Sequence, residues 1–273
     1  MLKARVVTAL TLLAAFLAAL FLLPDYGWAA FAAVVVGGAG WEWGGFMKSA
    51  PAPRALYATA TALAAFGLGM AADPGRPSME VAVYGVAGLL WVLAAPLWLA
   101  RKWPLPADVR GWTVGWLVLL PACLGLVQLR EFSPWFLLAA MALVWAADIA
   151  AYFTGRALGR RRLAPAISPG KTWEGAMGAG IGVVIYGFAV AGAAGKLAER
   201  SVFALAAFAL ALLGLTAVSI IGDLFESLMK RQAGLKDSGS LLPGHGGILD
   251  RIDSLTSTLP WMGLAVALRE WWW

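Results

Sequence analysis

The chain alternates long apolar stretches with short polar ones along nearly its whole length. A bilayer core needs about 20 apolar residues per crossing helix. On that rule nine stretches predict membrane spans: Val6–Leu23, Trp28–Met47, Ala55–Ala72, Met79–Ala100, Gly111–Leu129, Pro134–Phe153, Trp173–Gly195, Val202–Met229 and the shorter Ser254–Leu268. The start, Met-Leu-Lys-Ala-Arg before Val6–Leu23, has the charge pattern of a signal peptide. It reads instead as a retained first helix, because the apolar run is long for a leader and another span follows almost at once. No soluble domain, low-complexity segment or repeat breaks the pattern. The expected fold class is an all-α polytopic integral membrane protein, a single membrane-embedded domain over residues 1–273. Residues 1–130 are its less diagnostic N-terminal helices, and residues 131–273 carry most of the polar chemistry.

Composition agrees. The 273 residues are 61% hydrophobic and 13% charged, whereas a soluble domain carries about a quarter charged residues. The net charge of +6 fits basic cytoplasmic loops and anionic lipid headgroups, so no nucleic-acid partner is expected. Cys123 is the one cysteine. It allows no disulfide and no Cys/His metal site, and reads as a small buried hydrophobe. With nine spans, the 21 lysines and arginines divide sixteen to five between the two sides. The positive-inside rule then puts the N-terminus in the cytoplasm and the C-terminus outside. The closing Trp271–Trp273 reads as an aromatic belt at the far interface.

Some carboxylates fall inside the predicted spans: Glu42, Asp148, Glu174 at a span's start, and Asp223 and Glu226 toward the cytoplasmic end of the eighth. Such residues are costly in hydrocarbon and usually face a cavity or a partner. Glu42, between Trp41 and Trp43, has two readings: a headgroup-level residue of an aromatic belt, or a cavity residue. Asp223, Ser227 and Lys230 or Arg231 share one helix face by their spacing. A solvated amphipathic helix end shares that spacing.

That face leads into KRQAGLKDSGSLLPGHGGILDRID, Lys230 to Asp253, with seven Asp, Lys and Arg residues, five glycines and the chain's one histidine. Gly244, Gly246 and Gly247 around His245 let backbone N–H groups approach an anion. Lys230, Arg231, Lys236 and Arg251 supply positive charge for phosphate. Asp250 and Asp253 would open the last helix, where acids also suit the helix dipole. Carboxylates beside phosphate-binding bases point to a divalent cation held by carboxylates and substrate phosphates. The residues alone therefore suggest a membrane enzyme acting on phosphates at the cytoplasmic face.

A second stretch, DIAAYFTGRALGRRRLAPAISPGKTWEG, runs from Asp148 to Gly175. Arg160–Arg162 read as topology and headgroup anchors. The SPGKT segment is not a Walker A loop, because Pro165 stands where that motif needs its first glycine and no strand is expected before it. The segment reads instead as a Ser-Pro turn that presents Lys171 and Thr172 at a helix start, where an anion can bind.

The run SLMKRQAGLKDSGSLLPGHGGILDRID, Ser227 to Asp253, resembles the signature of phosphatidate cytidylyltransferases, also called CDP-diacylglycerol synthases. Its 27 residues match throughout. The SPGKTWEG segment resembles a second family motif, with Gly170 where the family often has lysine, and Asp148 upstream also fits. The likeness covers about Asp148 to Asp253; the first 130 residues match mainly as a hydrophobic pattern. It implies a reaction in phospholipid biosynthesis: CTP and phosphatidic acid give CDP-diacylglycerol and pyrophosphate, with Mg2+ required and room for a second cation such as K+. It further implies an all-helical polytopic protein of the inner membrane, commonly a homodimer. Carried over, Asp223 and Asp250 bind metal with help from Asp253. Lys236, Asp237, His245 and Arg251 join the two aspartates in catalysis. Ser227, Lys230, Arg231, Gly246, Gly247, Ser168, Lys171, Thr172 and Asp148 surround the substrates. Two other readings share the residue pattern: an ion-coupled transporter, and another Mg2+-dependent lipid-phosphate transferase.

Overall fold

The computed structural model describes residues 2–72, 78–198, 200–242, 244 and 246–268. His245 and Trp271–Trp273, singled out above, lie outside them. The helices are α1 Leu2–Leu22, α2 Asp25–Phe46, α3 Pro51–Ala71, α4 Ser78–Leu89, α5 Ala95–Arg101, α6 Val109–Phe132, α7 Pro134–Leu158, α8 Trp173–Ala193, α9 Val202–Ala233 and α10 Leu249–Ala267. A π-helical segment, Leu90–Ala94, joins α4 to α5. It lies just ahead of Pro96, whose missing N–H cannot continue a regular ladder. Helix starts follow local capping chemistry: Asp108, Ser133, Thr172 and Ser201 each accept a backbone N–H at the start of α6, α7, α8 and α9. Each such cap contributes about 1 kcal/mol.

Five helical stretches among the described residues are long and apolar enough to cross a membrane: Ser78–Arg101, Val109–Phe132, Pro134–Leu158, Trp173–Ala193 and Val202–Ala233. The expectation of nine is met for these five. The apolar part of α1, Leu10–Leu22, is shorter. Helix α10 is diluted by Asp250, Arg251, Asp253 and a run of hydroxyl residues.

Those hydroxyls place α10 at the centre. It packs against α6, α9, α4, α7 and α2, and Ser254, Thr256, Ser257 and Thr258 are all buried. Ser257 and Thr258 donate to the Ser254 carbonyl, both at 2.9 Å, so no hydroxyl there needs water. Small residues let the neighbouring backbones come close. A Cβ on Gly222 of α9 would sit 2.4 Å from Ser257 Oγ and 3.0 Å from the Asp253 carbonyl. Gly222→Ala should therefore cost about 1–3 kcal/mol by overpacking, read as a lower thermal midpoint in detergent. An unchanged midpoint would contradict this close approach of α9 to α10.

At the other end of α2, buried Arg130 of α6 donates to the Leu20 carbonyl at 3.1 Å, to Asp25 Oδ1 at 2.5 Å and to the Leu23 carbonyl. It thereby satisfies one open carbonyl in the last turn of α1, that of Leu20, and the Leu23 carbonyl just beyond the helix.

The expectation of helices and turns alone needs one correction. Arg162–Ala164 (β1) and Ser168–Thr172 (β2) form an antiparallel hairpin, with Arg162 opposite Thr172 and Ala164 opposite Ser168. Pro165 and Pro169, four residues apart, both disfavour a helix here, and the buried Ile167 folds the tip back by donating to the Ala164 carbonyl at 3.0 Å. Lys171 and Thr172 are thus presented from a strand rather than from a bare turn.

Candidate active site

The last three turns of α9 carry Asp223, Glu226, Ser227, Lys230 and Arg231. The helix stops at Gly234, which adopts φ +79°, and Leu235 N–H donates to the Lys230 carbonyl at 2.8 Å. A left-handed glycine reverses the chain here at little cost. The loop that follows returns to open α10 directly beside the end of α9.

Two lysines sit between the acids. Lys230 Nζ lies 2.7 Å from Asp250 Oδ1 and is ion-paired with Glu226 one turn earlier. Lys171, brought in by β2, is ion-paired with Asp223. Ser227 Oγ leans toward Asp223 Oδ1 at 3.4 Å. Asp148 of α7 lies within electrostatic reach of Asp223 and Lys171. Asp253 lies within reach of Asp223, Glu226 and Lys171. Three helices and a hairpin thus converge on alternating charges, with acids from α7, α9 and α10 and bases from β2 and α9.

Asp250 is held from several directions. Its Oδ2 accepts the Ser238 and Gly247 N–H groups, both at 2.9 Å, while Oδ1 takes Lys230. Burial pushes its carboxyl up, but the Lys230 hydrogen bond and the two amides outweigh that and leave it below the ordinary carboxylate value. The glycines of this loop serve the loop itself. A Cβ on Gly247 would sit 1.9 Å from Ser238 Oγ, and Gly246 has φ +80° with the Asp250 carboxylate 3.0 Å from where its Cβ would be.

The other expected site residues are more peripheral. Arg231 donates weakly to the Ile167 and Leu235 carbonyls at 3.4 and 3.3 Å, tying hairpin to loop. Thr172 is buried and caps α8, accepting Gly175 N–H at 3.1 Å, so it fixes the backbone next to Lys171. Ser168 lies in β2, half-buried. Lys236 and Asp237 are exposed on the loop, and Arg251 is exposed on the first turn of α10. His245 lies outside the described residues.

Sequence reasoning left two residues unassigned. The sequence puts Glu226 in the eighth span with no role attached, although it is one turn before Lys230 on the same face. It is buried at 5% exposure, and its Oε1 has no hydrogen-bond partner among the described residues. Glu42, with its two open readings, proves fully buried and bonded to this loop from α2.

Among the described residues no three His, Cys, Asp or Glu side chains are arranged to hold a metal unaided. Mg2+ does not need such a cage, since one or two carboxylates plus substrate phosphates suffice. The unmet Glu226 oxygen, beside Asp223 and Asp253, is the kind of donor a cation would satisfy, so the residues fit the group.

The chain's likeness to known proteins extends well beyond this cluster. A family model described as the cytidylyltransferase family matches residues 3–268. The phosphatidate cytidylyltransferase of Pseudomonas aeruginosa is 42% identical, over 95% of each chain. That of Haemophilus influenzae is 37% identical over 95% of this chain and 96% of its own, and that of Thermotoga maritima is 41% identical over 48% of each. The match takes in the N-terminal helices, from which Glu42 reaches the loop, as well as the charged cluster itself: the chain belongs to the cytidylyltransferase family.

Proposed function

We propose that the protein transfers the cytidylyl group of CTP to phosphatidic acid, releasing pyrophosphate and leaving CDP-diacylglycerol in the membrane. The observation that carries this is the pairing of Lys171 with Asp223 and of Lys230 with Asp250 and Glu226, where α9 meets the loop and α10. Paired lysines can exchange a carboxylate for a phosphate oxygen without crossing an unpaired buried state, which would be costly.

In the transfer, a phosphatidate phosphate oxygen attacks the α-phosphorus of CTP. The bond from that phosphorus to the oxygen bridging to the β-phosphate breaks, and the electron pair leaves with pyrophosphate. The nucleophile is already an anion near neutral pH, so no strong general base is required. Positioning and electrostatics carry such reactions. Lys171 and Lys230 bind non-bridging oxygens and offset repulsion between two anionic substrates. Arg231 and Arg251 extend the positive field. Ser227 offers a hydroxyl donor, and Asp148 helps orient Lys171. Asp223 and Asp250, with Asp253 and Glu226 beside them, would hold Mg2+, which supplies positive charge to the phosphates when bound. K+ is a candidate for a second cation.

The uneven spread of lysines and arginines supports nine spans with a cytoplasmic N-terminus, an outside C-terminus and the active site facing the cytoplasm. Residence in the inner membrane and a homodimer are proposed from the family resemblance. Residues 1–273 are taken as one domain.

The test is direct. Purified protein in detergent, given phosphatidate, Mg2+ and CTP labelled in its base, should move label into the lipid phase. Diacylglycerol or a polyprenyl phosphate in place of phosphatidate should not support this. Absence of labelled lipid with phosphatidate, or transfer to the polyprenyl phosphate instead, would overturn the assignment. Ion flux through liposomes without lipid product would favour a transporter.

A further inference from the structure

We infer that Glu42, on α2, is a positioning residue for this site: it fixes the loop between α9 and α10 so that Asp250 and Lys230 keep their places. The inference rests on the proposed cytidylyl transfer.

Glu42 is 0% exposed. Its Oε1 accepts the Ile248 N–H at 3.0 Å, and its Oε2 accepts the Leu249 N–H and the Ser238 hydroxyl, both at 2.9 Å. These donors stand 196 to 207 residues away along the chain. Helix α10 has no side-chain cap of its own at Ile248. The N–H groups of a helix start need partners, and a carboxylate there is favoured by the helix dipole. Glu42 therefore caps α10 from a different helix.

One further hydrogen bond leads to the charged cluster. The Ser238 hydroxyl that donates to Glu42 also accepts Asp250 N–H at 3.2 Å, and Ser238 N–H donates to Asp250 Oδ2 at 2.9 Å. Asp250 Oδ1 in turn meets Lys230 at 2.7 Å. The loop is shaped around this carboxylate. A Cβ on Gly239 or on Gly247 would come within 2.5 Å of a Glu42 oxygen, so neither position has room for a side chain while Glu42 keeps its place. Helix α2 is itself anchored, through Trp43 to the Gly111 carbonyl at 3.0 Å and through Arg130 at its far end. A carboxylate on so fixed a helix makes the loop a rigid part of the site.

Glutamine at position 42 keeps the volume but turns one acceptor into a donor, which would face N–H or O–H groups. The experiment uses full-length protein in detergent, as wild type, Glu42→Gln and Ser238→Ala. It measures kcat and CTP KM on monodisperse material well below the thermal midpoint, and amide exchange of the peptide from Ser238 to Asp250. Glu42→Gln should lower kcat about 10- to 100-fold, the scale of a small misplacement of reacting groups, and should speed exchange in that peptide. Ser238→Ala should lower kcat in the same direction. A staple with no bearing on the chemistry would lower the thermal midpoint and leave kcat and KM unchanged; that result in both variants, with active wild type, overturns the positioning role alone. If Glu42→Gln does not accumulate in folded form, Ser238→Ala decides by the same kinetics. Wild type that forms no CDP-diacylglycerol removes the functional reading, and the positioning role with it.

Discussion

Lys230→Met should abolish cytidylyl transfer and destabilise the protein in one step. Lys230 Nζ is the shared partner of Glu226 and Asp250, and all three side chains are largely buried. Methionine fills the space but leaves two carboxylates facing each other without a cation. Removing one member of a buried ionic set costs about 3–5 kcal/mol. The thermal midpoint should fall well below that of wild type. Activity should drop further than instability explains, because a charge aimed at the phosphates is worth about 100- to 1000-fold in rate. Arginine should not rescue it, since a planar guanidinium cannot take the place of a compact ammonium between two fixed carboxylates. A variant that keeps wild-type kcat would show that Lys230 is only a structural counter-ion.

Asp223→Asn separates chemistry from stability. Asp223 and Lys171 are each about one quarter exposed, at 27%, so their ion pair should contribute no more than about 1 kcal/mol. Asparagine keeps the size and can still accept from Ser227. The midpoint should hardly move, while kcat should fall about 1000-fold or more, because the position loses its negative charge among the phosphates and cation. Titrating Mg2+ should show whether added metal recovers any rate. Full activity in this variant would remove Asp223 from the machinery.

What the sequence revealed depended on how far apart the partners lie. Asp223, Ser227 and Lys230 share a helix face, and helical periodicity alone brought them together. Asp250 and Asp253 were expected to open the last helix, and they lie in its first turns. The pairing of Lys171 with Asp223 joins two segments that periodicity cannot link, and it depends on a hairpin that two prolines favour but do not specify. Glu226 could have been found from its spacing to Lys230, yet its unmet oxygen shows only in three dimensions. Glu42 gave no sequence signal of its partners, because a hydrogen bond to a loop some 200 residues away leaves no periodic trace. Membrane spans were legible where helices are apolar throughout. In α10 the apolar stretch Ser254–Leu268 is legible, but the helix begins earlier, at Leu249, where Asp250, Arg251 and Asp253 interrupt the apolar pattern.

The central claim is that phosphatidate attacks the α-phosphorus of CTP at the cluster formed by α9, β2 and α10. The most direct measurement gives the purified protein phosphatidate, Mg2+ and CTP labelled either at the α- or at the γ-phosphorus. The expected result is α-label in the lipid, γ-label in aqueous pyrophosphate in equal amount, and neither product from Asp223→Asn. Label from the γ-phosphorus in the lipid, or undiminished transfer by Asp223→Asn, would contradict it.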